Sequence, residues 1–197
     1  MPTNRIAATI GLALSCLSFG ALGAVPPPDS PTARREAETL NRLPPVVPHR
    51  GVHIDHSGRK EEGRASYYAG YFDGREMANG HKMNPNSNIA ASRTLPLGTV
   101  AAVTNLRNGK TATVRIEDRG PFIADRVVDV TPKTASQLDM KKAGVVPVVV
   151  KPIAVPLPDG QVKLGAGAAT ASPQEIARAT AATRALTDDR PTETASR

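Results

Sequence analysis

The sequence is poor in cysteine and in aromatic residues. Cys16 is the only cysteine among 197 residues, so the chain cannot form an intramolecular disulfide or a cysteine-rich metal site. There is no tryptophan, and aromatic residues make up 3% of the chain, against 18 prolines and 16 glycines. These numbers leave too few large apolar side chains for a core that spans the whole chain. The composition therefore predicts one compact domain of about one hundred residues between segments that have no core.

Acidic residues are outnumbered by basic ones, which gives a formal net charge of +7. A basic surface suits an anionic polymer as partner. Nucleic acid is such a polymer, but the sequence has no nucleic-acid-binding motif and no alternation of basic with aromatic residues. The charge thus indicates a solvated surface with affinity for polyanions, and we predict no nucleic-acid partner.

Three histidines, His49, His53 and His56, lie close together in the sequence. They stand among prolines and glycines, and Asp55 is the only carboxylate near them. Metal sites require a tighter pattern of ligands. We interpret them as solvated loop residues and predict neither a metal site nor a cofactor.

Residues 1–24 have the features of a signal peptide: Arg5 precedes an apolar run that ends in small residues. This pattern predicts an exported protein that is cleaved after Gly23 or Ala24. A second interpretation stays open, because Ser15 directly before Cys16 resembles a weak lipobox and would make Cys16 a lipid anchor.

Composition divides the rest of the chain into three parts. Residues 25–62 are rich in proline and have no strand pattern, which predicts a flexible linker. Residues 63–156 carry the strand and turn signals and form the predicted domain. Residues 157–197 are rich in Gly, Ala and Thr, and we predict a disordered, low-complexity tail.

The strongest strand signal is a pair of β-branched runs, residues 99–106 and 110–117. Asn108 and Gly109 lie between them, and an Asn-Gly pair in that position predicts a β-hairpin. Strand alternation places Ile116 on one face and Glu117 on the other, away from the side of Asp118.

Asp118 follows this hairpin at the start of the turn Arg119-Gly120-Pro121. Gly120 permits unusual backbone angles and Pro121 fixes its own φ, so the turn is stiff enough to aim the carboxylate at a ligand. The alternative is that Asp118 only caps the turn or pairs with Arg119 or Arg126.

Two further elements are predicted after this turn. Thr131 and Pro132 are typical of a helix start, with the helix ending near Met140, and residues 145–155 form an apolar strand. Before the hairpin, Tyr67, Tyr68 and their neighbours form the aromatic cluster of the chain. Such rings serve equally well as core or as a stacking face for sugars.

Several sequence blocks in this order and spacing resemble the rare lipoprotein A (RlpA) family. The blocks are GRASYYAG (63–70), DGREMANG (73–80), AASRTLPLGT (90–99), VTNLRNGK (103–110), VRIEDRGPF (114–122) and RVVDV (126–130). The resemblance implies an all-β fold, a six-stranded double-psi β-barrel with a short helix. It also implies a lytic transglycosylase of the bacterial envelope, which cleaves the MurNAc–GlcNAc bonds of peptidoglycan to 1,6-anhydro products.

The resemblance also implies roles for particular residues. Asp118 takes the position of the catalytic acid and base, and Tyr67, Tyr68 and Arg119 are candidate glycan contacts. The implied partners are glycan strands and divisome proteins, in the periplasm or cell envelope. Family members often carry a C-terminal glycan-binding module, and the residues after 156 are too few for one.

Two positions depart from the family pattern. His81 stands where a Glu is usual and Ser92 where a His is usual, with the spacing to Asp118 unchanged. His81 can still exchange protons and Ser92 can still bind a sugar hydroxyl. Asp129 is a further catalytic or binding candidate, with a structural role in holding the barrel turn as the alternative.

These departures keep other functions open. The first alternative is a non-catalytic or weakly active peptidoglycan-binding barrel comparable to expansins. The second is a secreted interaction or inhibitor protein on the same fold.

Overall fold

The computed structural model describes residues 53–123 and 125–188. The strands are β1 (Glu61–Tyr67), β2 (Ile89–Ser92), β3 (Val100–Asn105), β4 (Thr111–Asp118), β5 (Arg126–Val130), β6 (Val146–Pro156) and β7 (Val162–Leu164). The helices are α1 (Pro132–Gln137) and α2 (Pro173–Asp188), with short 3-10 turns at Gly70–Phe72 and Ala166–Ala169. The predicted signal peptide, most of the predicted linker and Cys16 lie outside the described residues.

Six of the strands close into a barrel in the order β1-β5-β2-β4-β3-β6, and β6 returns to pair with β1. The pairs β1/β5 and β2/β4 are parallel, while the other pairs in the ring are antiparallel. Strand β7 adds to β6 outside the ring. The predicted all-β class with a six-stranded closed barrel is confirmed.

The predicted hairpin is formed by β3 and β4, which pair from Val100 opposite Arg115 to Thr104 opposite Thr111. The interior of the barrel is filled by small and β-branched side chains from every strand of the ring. They include Ala65, Ala90, Val103, Val114, Ile116, Val128, Val130, Val148 and Val150, all less than 2% exposed. A closed barrel of this size can be packed without aromatic residues, because β-branched side chains fill its narrow interior.

Helix α1 begins as predicted, with the Thr131 side chain as N-cap and Pro132 in the first turn. It ends at Gln137, earlier than predicted, because Asp139 takes a left-handed conformation with φ 52°. The carbonyl of Leu138 accepts hydrogen bonds from the side chains of Asn105 and Asn108. The hairpin between β3 and β4 is therefore hydrogen-bonded to the C-terminal end of α1.

The chain after residue 156 differs from the prediction of a disordered tail. Helix α2 packs Ala179 and the half-buried Ile176 and Ala182 against the outer barrel surface at Val100 and Ile153. Because this apolar face consists mostly of alanine, its hydrophobic signal in the sequence is weak. The preceding segment approaches β6 closely, and a Cβ at Gly165 would lie 2.5 Å from the Pro152 carbonyl oxygen.

The end of the predicted linker is also attached to the barrel. The Asp55 backbone N–H donates to the Thr94 carbonyl at 2.8 Å, and Nδ1 of His56 lies 2.9 Å from the Pro156 carbonyl oxygen. Strand β1 then starts at Glu61, inside the predicted linker. Of the helices in the described ranges, none has the length and apolar character to span a membrane.

Replacing Ala179 tests whether α2 is part of the folded unit. Ala179 is 3% exposed, so Ala179→Asp buries an unpaired carboxylate and should lower the free energy of unfolding by about 2 kcal/mol or more. Ala177→Asp, on the exposed face of the same helix, is the matched control and should change it by less than about 0.5 kcal/mol. Urea unfolding measures both, and equal values for the two variants would show that α2 does not pack on the barrel.

Candidate functional site

Four residues from four adjacent strands lie in one row across the barrel wall. Asp118 of β4 pairs with Ala91 of β2, Ala91 pairs with Asp129 of β5, and Asp129 pairs with Ser66 of β1. Directly paired residues project to the same face of a sheet. Two strand spacings of about 4.8 Å separate the two aspartates, with only a methyl group between them.

The carboxylate of Asp118 is half-buried and held by three donors. Its Oδ1 accepts from the backbone N–H groups of Ala78 at 2.9 Å and Arg119 at 2.8 Å, and its Oδ2 accepts from the Tyr68 hydroxyl at 2.9 Å. These bonds fix the orientation of the carboxylate at the strand end. The turn-capping bond from Arg119 is present as one of three contacts.

Tyr68 connects Asp118 to a small apolar cluster. Its ring is 7% exposed and packs edge-on against Phe72, with Met77, Met83 and Ala91 in the same cluster. Burial, and next the charge of Asp118, raise the pKa of Tyr68 far above its usual range. The hydroxyl therefore stays protonated and serves Asp118 as a permanent donor.

Asp129 is the second carboxyl of the row, and burial raises its pKa. The Ser66 hydroxyl donates to Asp129 Oδ1, and Arg126 in turn donates to Ser66 Oγ. Arg126 thus orients the Ser66 hydroxyl, which donates to Asp129. With a raised pKa, Asp129 holds a proton more readily than an exposed aspartate does, which limits repulsion between the two carboxyls.

Glu117 lies closer to the site than strand alternation predicts. The pairing of β2 with β4 passes from Ala90 opposite Ile116 to Ala91 opposite Asp118, so Glu117 is the extra residue of a bulge. Its side chain is 3% exposed, forms an ion pair with Arg115 and accepts from Asn79 Nδ2 at 3.0 Å. The placement of Glu117 away from the side of Asp118 is therefore wrong.

His81 is exposed on the loop whose backbone holds Asp118. Its backbone N–H donates to Asn79 Oδ1 at 2.9 Å, and its Nδ1 lies 3.4 Å from Asn79 Nδ2. Because Nδ2 of Asn79 also donates to Glu117, the amide orientation is fixed, and Nδ1 of His81 acts as an acceptor. A chain of contacts thus connects the imidazole to the carboxylate that precedes Asp118.

Ser92 and Arg119 form hydrogen bonds that stabilise the loop after β2. Ser92 is 1% exposed, and its hydroxyl accepts from the backbone N–H groups of Thr94 and Leu95. The Arg119 guanidinium donates to the carbonyls of Ser92 and Leu95, and burial lowers its pKa. The structure therefore does not bring the Ser92 hydroxyl to Asp118.

The remaining candidates flank the row. Tyr67 projects to the opposite face of β1 from Ser66, packs against the barrel core and donates weakly to the Lys141 carbonyl at 3.4 Å. Phe122 and Ile123, which sequence reasoning did not single out, are 42% and 56% exposed in the turn after Asp118. Exposed apolar side chains beside a carboxylate suit contact with the apolar face of a sugar ring.

This arrangement is suited to proton transfer: a fixed, accessible carboxylate, a permanent hydroxyl donor and a second carboxyl whose pKa is raised by burial. Within the described ranges, no group of three or more His, Cys, Asp or Glu side chains could hold a metal ion.

Known proteins resemble the barrel part of the chain. A family model described as Lytic transglycolase matches residues 60–150. The probable endolytic peptidoglycan transglycosylase RlpA of Treponema pallidum is 55% identical over 84 residues, which cover 43% of this chain and 26% of that protein. The endolytic peptidoglycan transglycosylase RlpA of Campylobacter jejuni is 44% identical over 91 residues, 46% of this chain and 33% of that protein. The chain thus spans about a third or less of the length of these two relatives.

Solved structures with a related shape include Streptomyces papain inhibitor, with a TM-score of 0.40 and 24% identity over 49% of this chain and 96% of that chain. An expansin of Clavibacter michiganensis has a TM-score of 0.38 and 20% identity over 48% of this chain and 50% of that one.

The raised pKa of Asp129 predicts a pH dependence of stability. A carboxyl whose pKa is raised by folding stabilises the folded state below its unfolded pKa, near 3.8, and this contribution is lost as the pH rises through the folded pKa. The free energy of unfolding of wild type relative to Asp129→Asn should therefore fall between pH 3 and pH 7 in urea titrations.

Asp139→Asn provides a control of opposite sign. Hydrogen bonding to Lys110 lowers the pKa of the exposed Asp139, so wild type should gain stability relative to this variant as the pH rises. A difference between wild type and Asp129→Asn that does not change with pH would contradict the assignment for Asp129.

Proposed function

We propose that this chain, whose residues 60–150 match the Lytic transglycolase family model, belongs to the RlpA family and is an endolytic lytic transglycosylase of peptidoglycan. Asp118 is its acid and base, and the substrate is a glycan strand. The observation that carries the proposal is the Asp118 carboxylate, accessible at a strand end and aimed by three donors. Carboxylates that only cap turns do not need a buried tyrosine as a partner.

The reaction breaks the glycosidic bond at C1 of MurNAc and forms a new bond between C1 and the 6-oxygen of the same MurNAc. Protonated Asp118 gives its proton to the glycosidic oxygen as the bond from MurNAc C1 breaks, and GlcNAc leaves with a free hydroxyl. The resulting carboxylate takes the proton of the MurNAc 6-hydroxyl as its oxygen bonds to C1, which closes the 1,6-anhydro ring. The enzyme returns to its starting protonation state without water or a cofactor.

The neighbours of Asp118 have supporting roles in this proposal. Tyr68 keeps Oδ2 oriented throughout the cycle, and the Ala78 N–H does the same for Oδ1. Burial raises the pKa of Asp129, so it binds a proton more readily than an exposed aspartate, which reduces its repulsion of ionised Asp118. Exposed His81 is positioned to bind a sugar hydroxyl.

A non-catalytic, expansin-like peptidoglycan-binding barrel is the second candidate function. It is favoured by the placement of Ser92, whose buried hydroxyl is occupied by two backbone donors and cannot reach a ligand. Ser92 would then contribute little to turnover. Location in the cell envelope and divisome partners are further parts of the proposal, with a lipid anchor at Cys16 as the alternative to cleavage after Gly23 or Ala24.

The substitution Asp118→Asn separates the two functions. Digestion of purified sacculi by wild type should release 1,6-anhydro products detectable by mass spectrometry, and Asp118→Asn should reduce that rate about a hundredfold or more, the usual contribution of an acid-base group. Sacculus binding should survive, because the amide keeps the shape of the side chain. Asp139→Asn, on the far side of the hairpin turn, is the control and should keep full activity.

If folded wild type releases no anhydro product from intact sacculi or from peptide-free strands but still binds them, the binding function is supported. Equal product release by wild type and Asp118→Asn would exclude Asp118 as the acid and base.

A further inference from the structure

A groove of about 460 Å³ lies between helix α2 and the outer surface of the barrel. Ile89, Thr113 and Arg115 form its floor, and Arg178, Ala179 and Ala182 of α2 form its wall. Its volume is in the range of small-ligand sites. Because α2 follows the segment that matches the family model, one wall of the groove lies outside the matched residues.

One polar group at the rim of the groove lacks a partner. The side-chain amide of Asn88 donates to the Thr113 carbonyl at 3.3 Å and to Gln137 Oε1 at 3.2 Å. Its Oδ1 is buried and accepts no hydrogen bond. A buried acceptor without a partner costs stability, and a ligand N–H or hydroxyl in the groove would remove that cost.

Two guanidinium groups and one carboxylate line the groove, those of Arg115, Arg178 and Glu175. Arg178 is exposed and interacts electrostatically with Glu175, which also lines the groove. The nearby Glu175 accepts from the backbone N–H and hydroxyl of Ser172 at 2.8 and 2.9 Å, and so caps the start of α2. The groove thus offers the Arg178 guanidinium among the apolar side chains of Ile89, Ala179 and Ala182, which suits a carboxylate on a partly apolar ligand.

One floor residue of the groove lies on the same strand as the proposed catalytic residue. Arg115 in its floor forms an ion pair with Glu117, and Glu117 directly precedes Asp118. Along one strand, three residues correspond to about 10 Å, so the floor and Asp118 are within reach of one bound oligosaccharide.

We propose that this groove is a subsite for a carboxylate-bearing, N-acetylated sugar of the glycan strand that Asp118 cleaves. Arg178 binds the lactyl carboxylate of a muramic acid unit, and Asn88 Oδ1 accepts the N–H of its acetamido group. Ile89, Ala179 and Ala182 contact the methyl groups of the same sugar. The inference rests on the proposed function, since it takes the substrate to be a peptidoglycan strand.

The test is a calorimetric titration with the full chain carrying Asp118→Asn, which prevents cleavage. The ligands are peptide-free glycan strands and the same strands with their carboxylates converted to amides. Adding Arg178→Glu should weaken binding of the carboxylate strands about tenfold and change binding of the amidated strands little. Arg184→Glu makes the same charge change on the exposed part of α2, outside the groove, and should leave both affinities unchanged.

Ala182→Phe is a second variant that fills the groove without changing its charge, and it should weaken binding of both ligands. Equal affinities for carboxylate and amidated strands, equal losses in Arg178→Glu and Arg184→Glu, or no measurable strand binding would each overturn the subsite. If wild type releases no anhydro product while the affinities follow the predicted pattern, the catalytic proposal fails and the subsite stands. If wild type releases anhydro product but the affinities do not follow the predicted pattern, the catalytic proposal stands and the subsite fails.

Discussion

The register of β2 between β4 and β5 is the constraint on which the site depends. A bulge between Ala90 and Ala91 lets Ala91 pair with Asp118 instead of Glu117. On the other side, Ala91 pairs with Asp129. A regular pairing would move every side chain beyond the bulge to the opposite face of the sheet. The bulge therefore decides that two aspartates, and not Glu117, flank the small side chain of Ala91.

The loop beside this row of residues fixes the orientation of the Asp118 side chain at the end of β4. The loop from Tyr68 to Met83 covers β2 with a small apolar cluster, and the Tyr68 hydroxyl and the Ala78 N–H both reach Asp118 from that loop. The same loop carries Asn79, which joins Glu117 to His81. Because one loop contacts both carboxylates, the orientation of Asp118 depends on the packing of Tyr68 and Met77 as well as on the strand itself.

Much of this fold could be predicted from local sequence signals. The Asn108-Gly109 turn, the Thr131-Pro132 helix start and the β-branched runs all formed as predicted, because each depends on neighbouring residues. The stiff turn after Asp118 also fits a purely structural carboxylate, and it was the resemblance to the RlpA family that singled this residue out. The side on which Glu117 lies could not be predicted, since the bulge results from pairing with a strand distant in the sequence.

Other features escaped prediction for a similar reason. Helix α2 presents a face of alanines whose burial depends on the barrel surface beneath it, and the segment before it requires Gly165 to approach Pro152. Ser92 was a candidate for ligand contact from its position in a motif. Its role in accepting two backbone N–H groups becomes evident only with the loop after β2 in place.

We propose that Asp118 directs an intramolecular ring closure in which water takes no part. Digestion of purified sacculi in water enriched in oxygen-18, followed by mass spectrometry of the released sugars, tests it most directly. The account predicts products without the heavy isotope, lighter by one water than hydrolysis products. Products with one oxygen-18 at the new reducing end would contradict it, because they would show that water had attacked C1.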